Sequence, residues 1–192
     1  MDLDEASLQT RVAALVPKGE GPDTVKMYRR HYPEAKNDEV LYMASTDRGY
    51  FLDTTILAGR KAEQGAAPVF VYQFYRATPL EGGRYHTPHA SEIPFVFDTL
   101  AKATSIGGEP TANAQNLADR MGEAWSNFAR LGDPNGGKTP TWPKYDSATR
   151  PTMVWDETPA GPRVENDPRK EQRERMLGYG SQQYAAREAA PG

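Results

Sequence analysis

The sequence predicts an α/β fold in which a few strands of a mostly parallel sheet lie between flanking helices. Residues 68–75 (Pro-Val-Phe-Val-Tyr-Gln-Phe-Tyr) form a strand-like run with apolar side chains on both faces. Such a strand has to be covered on both sides, as in a parallel sheet between helices. Residues 152–155 form the only other evident strand. Because two strands alone would leave both sheet edges open, we expect the N-terminal half of the sheet to be missing from this chain.

Helices are predicted before and after the first strand. Apolar residues recur at helical spacing in residues 7–15, 23–32, 46–65 and 111–131. Thr46 and Asp47 can cap the third of these helices, and Gly65 ends it. Asp167 and Pro168 open a charged C-terminal helix, whose alternating Arg, Lys and Glu residues indicate a face exposed to solvent.

Composition and charge argue against several classes of protein. The 192 residues include 23 Lys and Arg and 26 Asp and Glu, and the resulting formal net charge of -3 disfavours a nucleic-acid partner. The absence of cysteine excludes disulfides, a thiol nucleophile and thiolate metal ligands. No apolar run is long enough to span a bilayer, so no membrane span is predicted.

The N-terminal residues bear on location. Residues 1–5 (Met-Asp-Leu-Asp-Glu) are acidic and lack the basic and then apolar pattern of a signal peptide. As given, the sequence indicates a cytoplasmic protein. A secreted or periplasmic location stays open if the native N-terminus lies further upstream.

The most informative pattern lies at residues 85–97. His86 and His89 are followed by Glu92 and an apolar run, and Pro88 favours a loop rather than a helix at His89. Loops beyond the carboxyl ends of sheet strands are where α/β folds place reacting groups. Imidazole is the side chain best suited to transfer a proton near neutral pH. His89 is therefore the candidate catalytic residue.

Other interpretations of these residues stay open at this point. His89 could be a hydrogen-bonded loop histidine without a chemical role. His86 and His89 could bind a metal ion, but no further ligand follows at suitable spacing, so we expect neither a metal nor a cofactor. Glu92 could orient the histidine loop from beside the site, or it could cap a turn or a helix.

Four motifs resemble those of type-B carboxylesterases, the α/β-hydrolases that include bacterial carboxylesterases and the cholinesterases. Residues 89–97 (His-Ala-Ser-Glu-Ile-Pro-Phe-Val-Phe) are similar to the family's histidine motif, except that Ala90 stands where the family often has glycine. The other three, in the family's order, are residues 46–51 (Thr-Asp-Arg-Gly-Tyr-Phe), 124–135 (Ala-Trp-Ser-Asn-Phe-Ala-Arg-Leu-Gly-Asp-Pro-Asn) and 142–145 (Trp-Pro-Lys-Tyr).

The resemblance implies the C-terminal part of an α/β-hydrolase fold, formed by residues 1–181 as a portion of a single domain. Residues 182–192 are expected to be a disordered tail. It also implies hydrolysis of a small-molecule carboxylic ester by a Ser-His-acid triad without a cofactor, with His89 as the triad histidine. The oligomeric state stays open.

One departure from the family limits this expectation. The nucleophilic serine of the family lies in a Gly-x-Ser-x-Gly elbow upstream of the histidine, and the chain has no such segment. We therefore expect the serine and the acid to lie upstream and the chain alone to be inactive, and neither Ser91 nor Glu92 is a substitute for them. A non-catalytic cholinesterase-like interaction module and an inactive truncated fragment are the alternatives.

Overall fold

The computed structural model describes residues 3–158 and 161–181. It divides the chain into two compact units, one formed by Met1–Leu57 with Arg169–Gly192 and the other by Ala58–Pro168. The assignment of residues 1–181 to one domain stays a prediction. The expected disordered tail at residues 182–192 lies outside the described residues.

Helices are the main elements of both units. In chain order they are α1 (Glu5–Leu15), α2 (Gly21–His31), α3 (Asn37–Thr46), α4 (Leu52–Gln64), α5 (Ile93–Val96), α6 (Thr104–Gly107), α7 (Ala112–Leu131) and α8 (Lys170–Tyr179). A π-helical turn spans Asp47–Phe51, and short 3-10 turns lie at Leu80–Gly83 and Leu100–Lys102. Over the two described ranges, no helix is both long enough and apolar enough to cross a membrane.

The first unit is a helical assembly around its own apolar core. Asp4 caps α1 by accepting a hydrogen bond from the backbone of Ser7 (2.7 Å), as expected for an acidic residue at a helix start. Apolar residues recurring at helical spacing then face inward. The core consists of Leu8, Val12, Val25, Met27, Tyr28, Val40, Ala44, Leu52 and Met176.

The predicted helix cap at Thr46 and Asp47 is wrong. Helix α3, which was not predicted, runs through Thr46 in helical conformation and continues as the π-helical turn into α4. Asp47 is completely buried and interacts with side chains of the core instead of capping a helix. The predicted end of the helix at Gly65 agrees with the structure, where Gly65 has a φ of +69° directly after α4.

Asp47 lies at the centre of a buried polar network. Its Oδ2 accepts hydrogen bonds from the Tyr28 hydroxyl (2.7 Å) and from Nη2 of Arg169 (2.6 Å). Oδ1 is also buried and accepts no hydrogen bond from the described residues. Burial raises the pKa of Asp47 to about 6, although the positive charge of Arg169 and the bond from Tyr28 act in the opposite direction.

The charged helix α8 is less exposed than its sequence indicates. Gln172, Arg173 and Met176 are buried, so one face of the helix packs into the unit rather than facing solvent. The long side chains of Arg and Gln can bury their aliphatic parts while their polar ends still find partners. The alternating charges of α8 therefore did not indicate that one of its faces is buried.

The second unit contains a three-stranded mixed sheet in the order β1-β2-β3. Strand β1 (Val71–Phe74) pairs in parallel with β2 (Pro151–Trp155), with Val71 opposite Thr152 and Phe74 opposite Trp155. Strand β3 (Arg163–Asn166) pairs with β2 in the antiparallel sense. All of β2 is buried, whereas β1 is only half-buried along its length. The sequence predicted β1 and β2 but not β3, because Arg-Val-Glu-Asn lacks an apolar pattern.

Helix α7 provides the apolar layer against this sheet. Thr111 caps it by accepting a hydrogen bond from the backbone of Ala114 (3.0 Å), and Gly132 ends it with a φ of +70°. These limits agree with the predicted helix. The buried core of the unit consists of Phe95, Leu100, Ala114, Leu117, Ala118, Met121, Ala124, Trp142, Met153 and Trp155.

The buried carboxyl of Asp47 is expected to make stability depend on pH. Its pKa in the folded protein, about 6, lies above the ordinary value of 3.8, so the folded state binds the proton more tightly than the unfolded chain. The stabilisation is fully present below about pH 4 and is lost as the pH rises through about 6. Relative to Asp47→Asn, the wild-type protein should lose on the order of 2–3 kcal/mol of unfolding free energy across this range.

Urea unfolding at several pH values measures this difference. Asp23→Asn is a suitable control, because Asp23 is exposed in the first turn of α2. If the difference in stability between wild type and Asp47→Asn is the same at all pH values, the pKa of Asp47 is not raised in the folded protein.

Candidate active site

His89 lies at the end of a loop that leaves the carboxyl end of β1 and folds back on itself. The backbone N–H of Tyr75 donates to the carbonyl of Trp155 (2.9 Å) and so extends the parallel pairing by one residue. The loop is then closed at its base by two hydrogen bonds. The N–H of Thr78 donates to the carbonyl of His86 (2.7 Å), and the Thr87 hydroxyl donates to the carbonyl of Arg76 (3.2 Å).

A tight turn presents His89 to the surface. The N–H of Ser91 donates to the carbonyl of Pro88 (3.1 Å), which makes His89 and Ala90 the two central residues of the turn. Ala90 has a φ of +66°, the positive value that the third residue of a type II turn requires and that glycine adopts most easily. His89 is exposed. The turn gives a physical reason for the glycine that the resembling family often has at this position.

Helix α5 anchors the turn on its C-terminal side. Phe95 is only 1% exposed and packs against Phe74 at the end of β1, with ring centroids 5.1 Å apart. Phe97, by contrast, is 70% exposed. Of the two aromatic residues in the histidine motif, Phe95 therefore belongs to the core and Phe97 to the surface.

Arg76 joins the segments that surround this turn. Its side chain is 4% exposed, and its Nε donates to Oε2 of Glu157 (3.1 Å) just beyond β2. Its Nη1 donates to the carbonyl of Gly107 at the end of α6 (2.7 Å). The guanidinium also lies 5.2 Å from the ring centroid of Phe95. Sequence reasoning missed Arg76, although a basic residue directly after an apolar strand was a possible signal.

Glu92 acts electrostatically on Tyr72 of the sheet. It precedes α5, but its side chain makes no capping hydrogen bond to that helix. Burial raises the pKa of Tyr72 on β1, and the negative charge of Glu92 raises it further. Its role in orienting the histidine loop stays a prediction.

Ser91 and the two loop histidines bear on the alternative interpretations. Ser91 is 4% exposed, and its Oγ forms no hydrogen bond with the described residues. It is thus withdrawn from the surface on which His89 lies, which argues against a role as a surface nucleophile. Across residues 3–158 and 161–181, no cluster of three or more His, Asp or Glu residues is arranged to bind a metal ion.

The strained turn leads to a prediction about stability. A residue with a Cβ at a φ of +66° costs on the order of 1 kcal/mol relative to glycine. Ala90→Gly should therefore raise the free energy of unfolding by about 0.5–1 kcal/mol, as measured by urea denaturation.

The matched control is Ala129→Gly, at an exposed position inside α7. There glycine should lower the stability by about 1 kcal/mol, because the φ of Ala129 is already helical. If both substitutions destabilise the protein equally, the turn described for residues 88–91 is wrong.

The pairing of Glu92 with Tyr72 leads to a second prediction. Glu92→Gln removes the charge and should lower the pKa of Tyr72, yet leave it above the ordinary value, because burial is the larger cause. NMR titration of 13C-labelled tyrosine would measure the shift, with Glu109→Gln as a control at an exposed carboxylate. An unchanged pKa of Tyr72 in Glu92→Gln would show that the two groups are not close.

Comparisons with known proteins agree with the resemblance in sequence. The model of the family described as "Carboxylesterase family" matches residues 14–176. Carboxylesterase 1C of Rattus norvegicus is 34% identical over 130 residues, which are 65% of this chain and 23% of that protein. The para-nitrobenzyl esterase of Bacillus subtilis is 29% identical over 162 residues, which are 81% of this chain and 32% of that protein.

A solved structure shows the same fold. The carboxylesterase of Geobacillus stearothermophilus superposes with a TM-score of 0.73 at 28% identity, covering 90% of this chain and 35% of that chain. The prediction of an α/β-hydrolase fold represented only in part is thereby confirmed. The chain spans about a third or less of the length of these relatives. From the family match over most of its length, together with the shared fold, the chain belongs to the carboxylesterase family.

Proposed function

We propose that this chain forms the C-terminal portion of a serine carboxylesterase and that His89 is the general base of its catalytic triad. The observation that carries the proposal is the position of His89. It is exposed on a hydrogen-bonded turn just beyond the carboxyl end of a parallel strand, inside the region that matches the family. That edge of an α/β sheet is where reacting groups are placed.

The chemistry follows from the imidazole. His89 takes the proton of a serine hydroxyl as the serine oxygen attacks the ester carbonyl carbon, and returns that proton to the departing alcohol. A water molecule then replaces the alcohol, and the same histidine activates it to release the acid. Backbone N–H groups stabilise the negative charge on the carbonyl oxygen in both steps. No cofactor is needed.

The serine and the acid of this triad are proposed to come from sequence upstream of the chain. No Gly-x-Ser-x-Gly segment occurs in the 192 residues. A general base without its nucleophile loses nearly all of its rate advantage, so the chain alone should show no hydrolysis that depends on His89. Glu92 is proposed to support the histidine loop without contact with the reacting atoms.

A histidine scan tests the proposal, because the sequence has three histidines in all. The chain is expressed together with the polypeptide encoded directly upstream, and kcat/KM is measured with p-nitrophenyl acetate. His89→Ala should lower kcat/KM by at least about a thousandfold. His31→Ala is the matched control, since His31 lies at the exposed end of α2 and pairs with Glu171. His86→Ala tests whether its neighbour in the loop is the base instead.

Three outcomes would contradict the proposal or a part of it. Equal activity of wild type and His89→Ala would show that His89 is not the general base. An upstream Gly-x-Ser-x-Gly segment with the serine replaced would favour a non-catalytic interaction module. Robust turnover by the 192-residue chain alone, abolished in His89→Ala, would contradict the claim that it is catalytically incomplete.

A further inference from the structure

We infer that Arg76 is the residue that positions His89, and this inference rests on the function proposed above. Arg76 itself is buried and lies two residues beyond β1, so we assign it a positioning role without contact with the reacting atoms. Its contacts hold the segment on each side of the turn at residues 88–91. Without these contacts, the long loop that carries the histidine, which is rich in glycine and proline, would be held less firmly.

On the N-terminal side of the turn, the main chain of Arg76 provides the anchor. Its carbonyl accepts the hydrogen bond from the Thr87 hydroxyl (3.2 Å), and Thr87 is separated from His89 by Pro88 alone. Proline fixes its own φ, so a constraint at Thr87 carries over to the start of the turn. The bond from Thr78 N–H to the His86 carbonyl (2.7 Å) closes the loop next to it.

On the C-terminal side, the guanidinium of Arg76 provides the anchor. It lies 5.2 Å from the ring centroid of Phe95. Phe95 is buried and belongs to α5, the short helix that follows the turn. A cation over an aromatic face is attractive, most strongly where water is excluded. The ring of Phe95 also contacts Phe74, so the end of β1 and the start of α5 are held by the same residue pair.

The guanidinium is itself fixed by two further bonds. Nε donates to Glu157 (3.1 Å) and Nη1 to the carbonyl of Gly107 (2.7 Å). The neighbouring carbonyl of Ile106 accepts the Thr78 hydroxyl (2.7 Å), which ties the same helix end to the base of the loop. These directions require the planar fork of arginine, because a lysine ammonium on its flexible stem cannot hold all of them at once.

The first test follows His89 in the 192-residue chain itself. Arg76→Gln should change the imidazole NMR signals of His89 and raise the hydrogen-exchange rate of the Ser91 amide at least about tenfold, because the turn then opens locally. Arg76→Lys should give an intermediate effect. Thr87→Val removes the hydroxyl but keeps the guanidinium, and it should reproduce part of the change.

Arg163→Gln is the matched control in the same unit. Arg163 is an arginine of β3 that pairs with Asp156 and Glu165 at a half-exposed position. It should leave the His89 signals and the Ser91 exchange rate unchanged. Unchanged His89 signals in folded Arg76→Lys and Thr87→Val would overturn the inference, even if Arg76→Gln does not fold.

The second test separates this inference from the proposed function. With the upstream polypeptide present, Arg76→Lys should lower kcat for p-nitrophenyl acetate at least about tenfold and leave KM within about twofold, since orientation rather than ester binding is lost. If His89→Ala abolishes activity but Arg76→Lys keeps full kcat, only the positioning role is wrong. If His89→Ala is fully active, the proposed function fails, whereas the NMR result still decides whether Arg76 orders the turn.

Discussion

The parallel pairing of β1 with β2 is the constraint on which the site depends. Two parallel strands end at the same edge of a sheet, so the segments that follow Phe74 and Trp155 leave side by side. Arg76 and Glu157, each two residues beyond its strand, therefore meet there as an ion pair (3.1 Å). An antiparallel pairing would have placed them at opposite edges, and the histidine loop would have lost its support.

Around this edge, the exposed candidate histidine is combined with buried support. His89 is exposed, whereas Ser91 is 4% exposed and Phe95 only 1%. The strained φ of +66° at Ala90 lies between them. A strained backbone of this kind persists only where several independent contacts hold it in place. The hydrogen bonds at the base of the loop and the packing of Phe95 hold this backbone from both sides. Such support is required wherever a functional side chain has to be positioned precisely.

Much of the fold could be predicted from the sequence, and the errors have physical causes. The limits of α7 are evident locally, because a capping threonine, an apolar stripe and a final glycine indicate a helix wherever it packs. The two apolar strands are evident from their short runs of apolar residues. Strand β3 is polar and forms by pairing with the edge of β2, so no local sequence pattern predicts it. Asp47 resembles a helix cap, but its partner Arg169 is distant in sequence. Arg76 was missed for the same reason. His89 could be identified as a candidate because its motif is continuous in sequence.

The support around His89 also bears on whether the protein is an enzyme or an interaction module. Under the proposed function, the turn at residues 88–91 and the buried Arg76 hold a reacting histidine in place, a role that a module without chemistry would not need. Strand β1 is apolar on both faces yet only half-buried. Such a strand is expected in a sheet that packs against further structure. The chain also spans about a third or less of its relatives. Together these observations fit the proposal that His89 acts with groups outside these 192 residues.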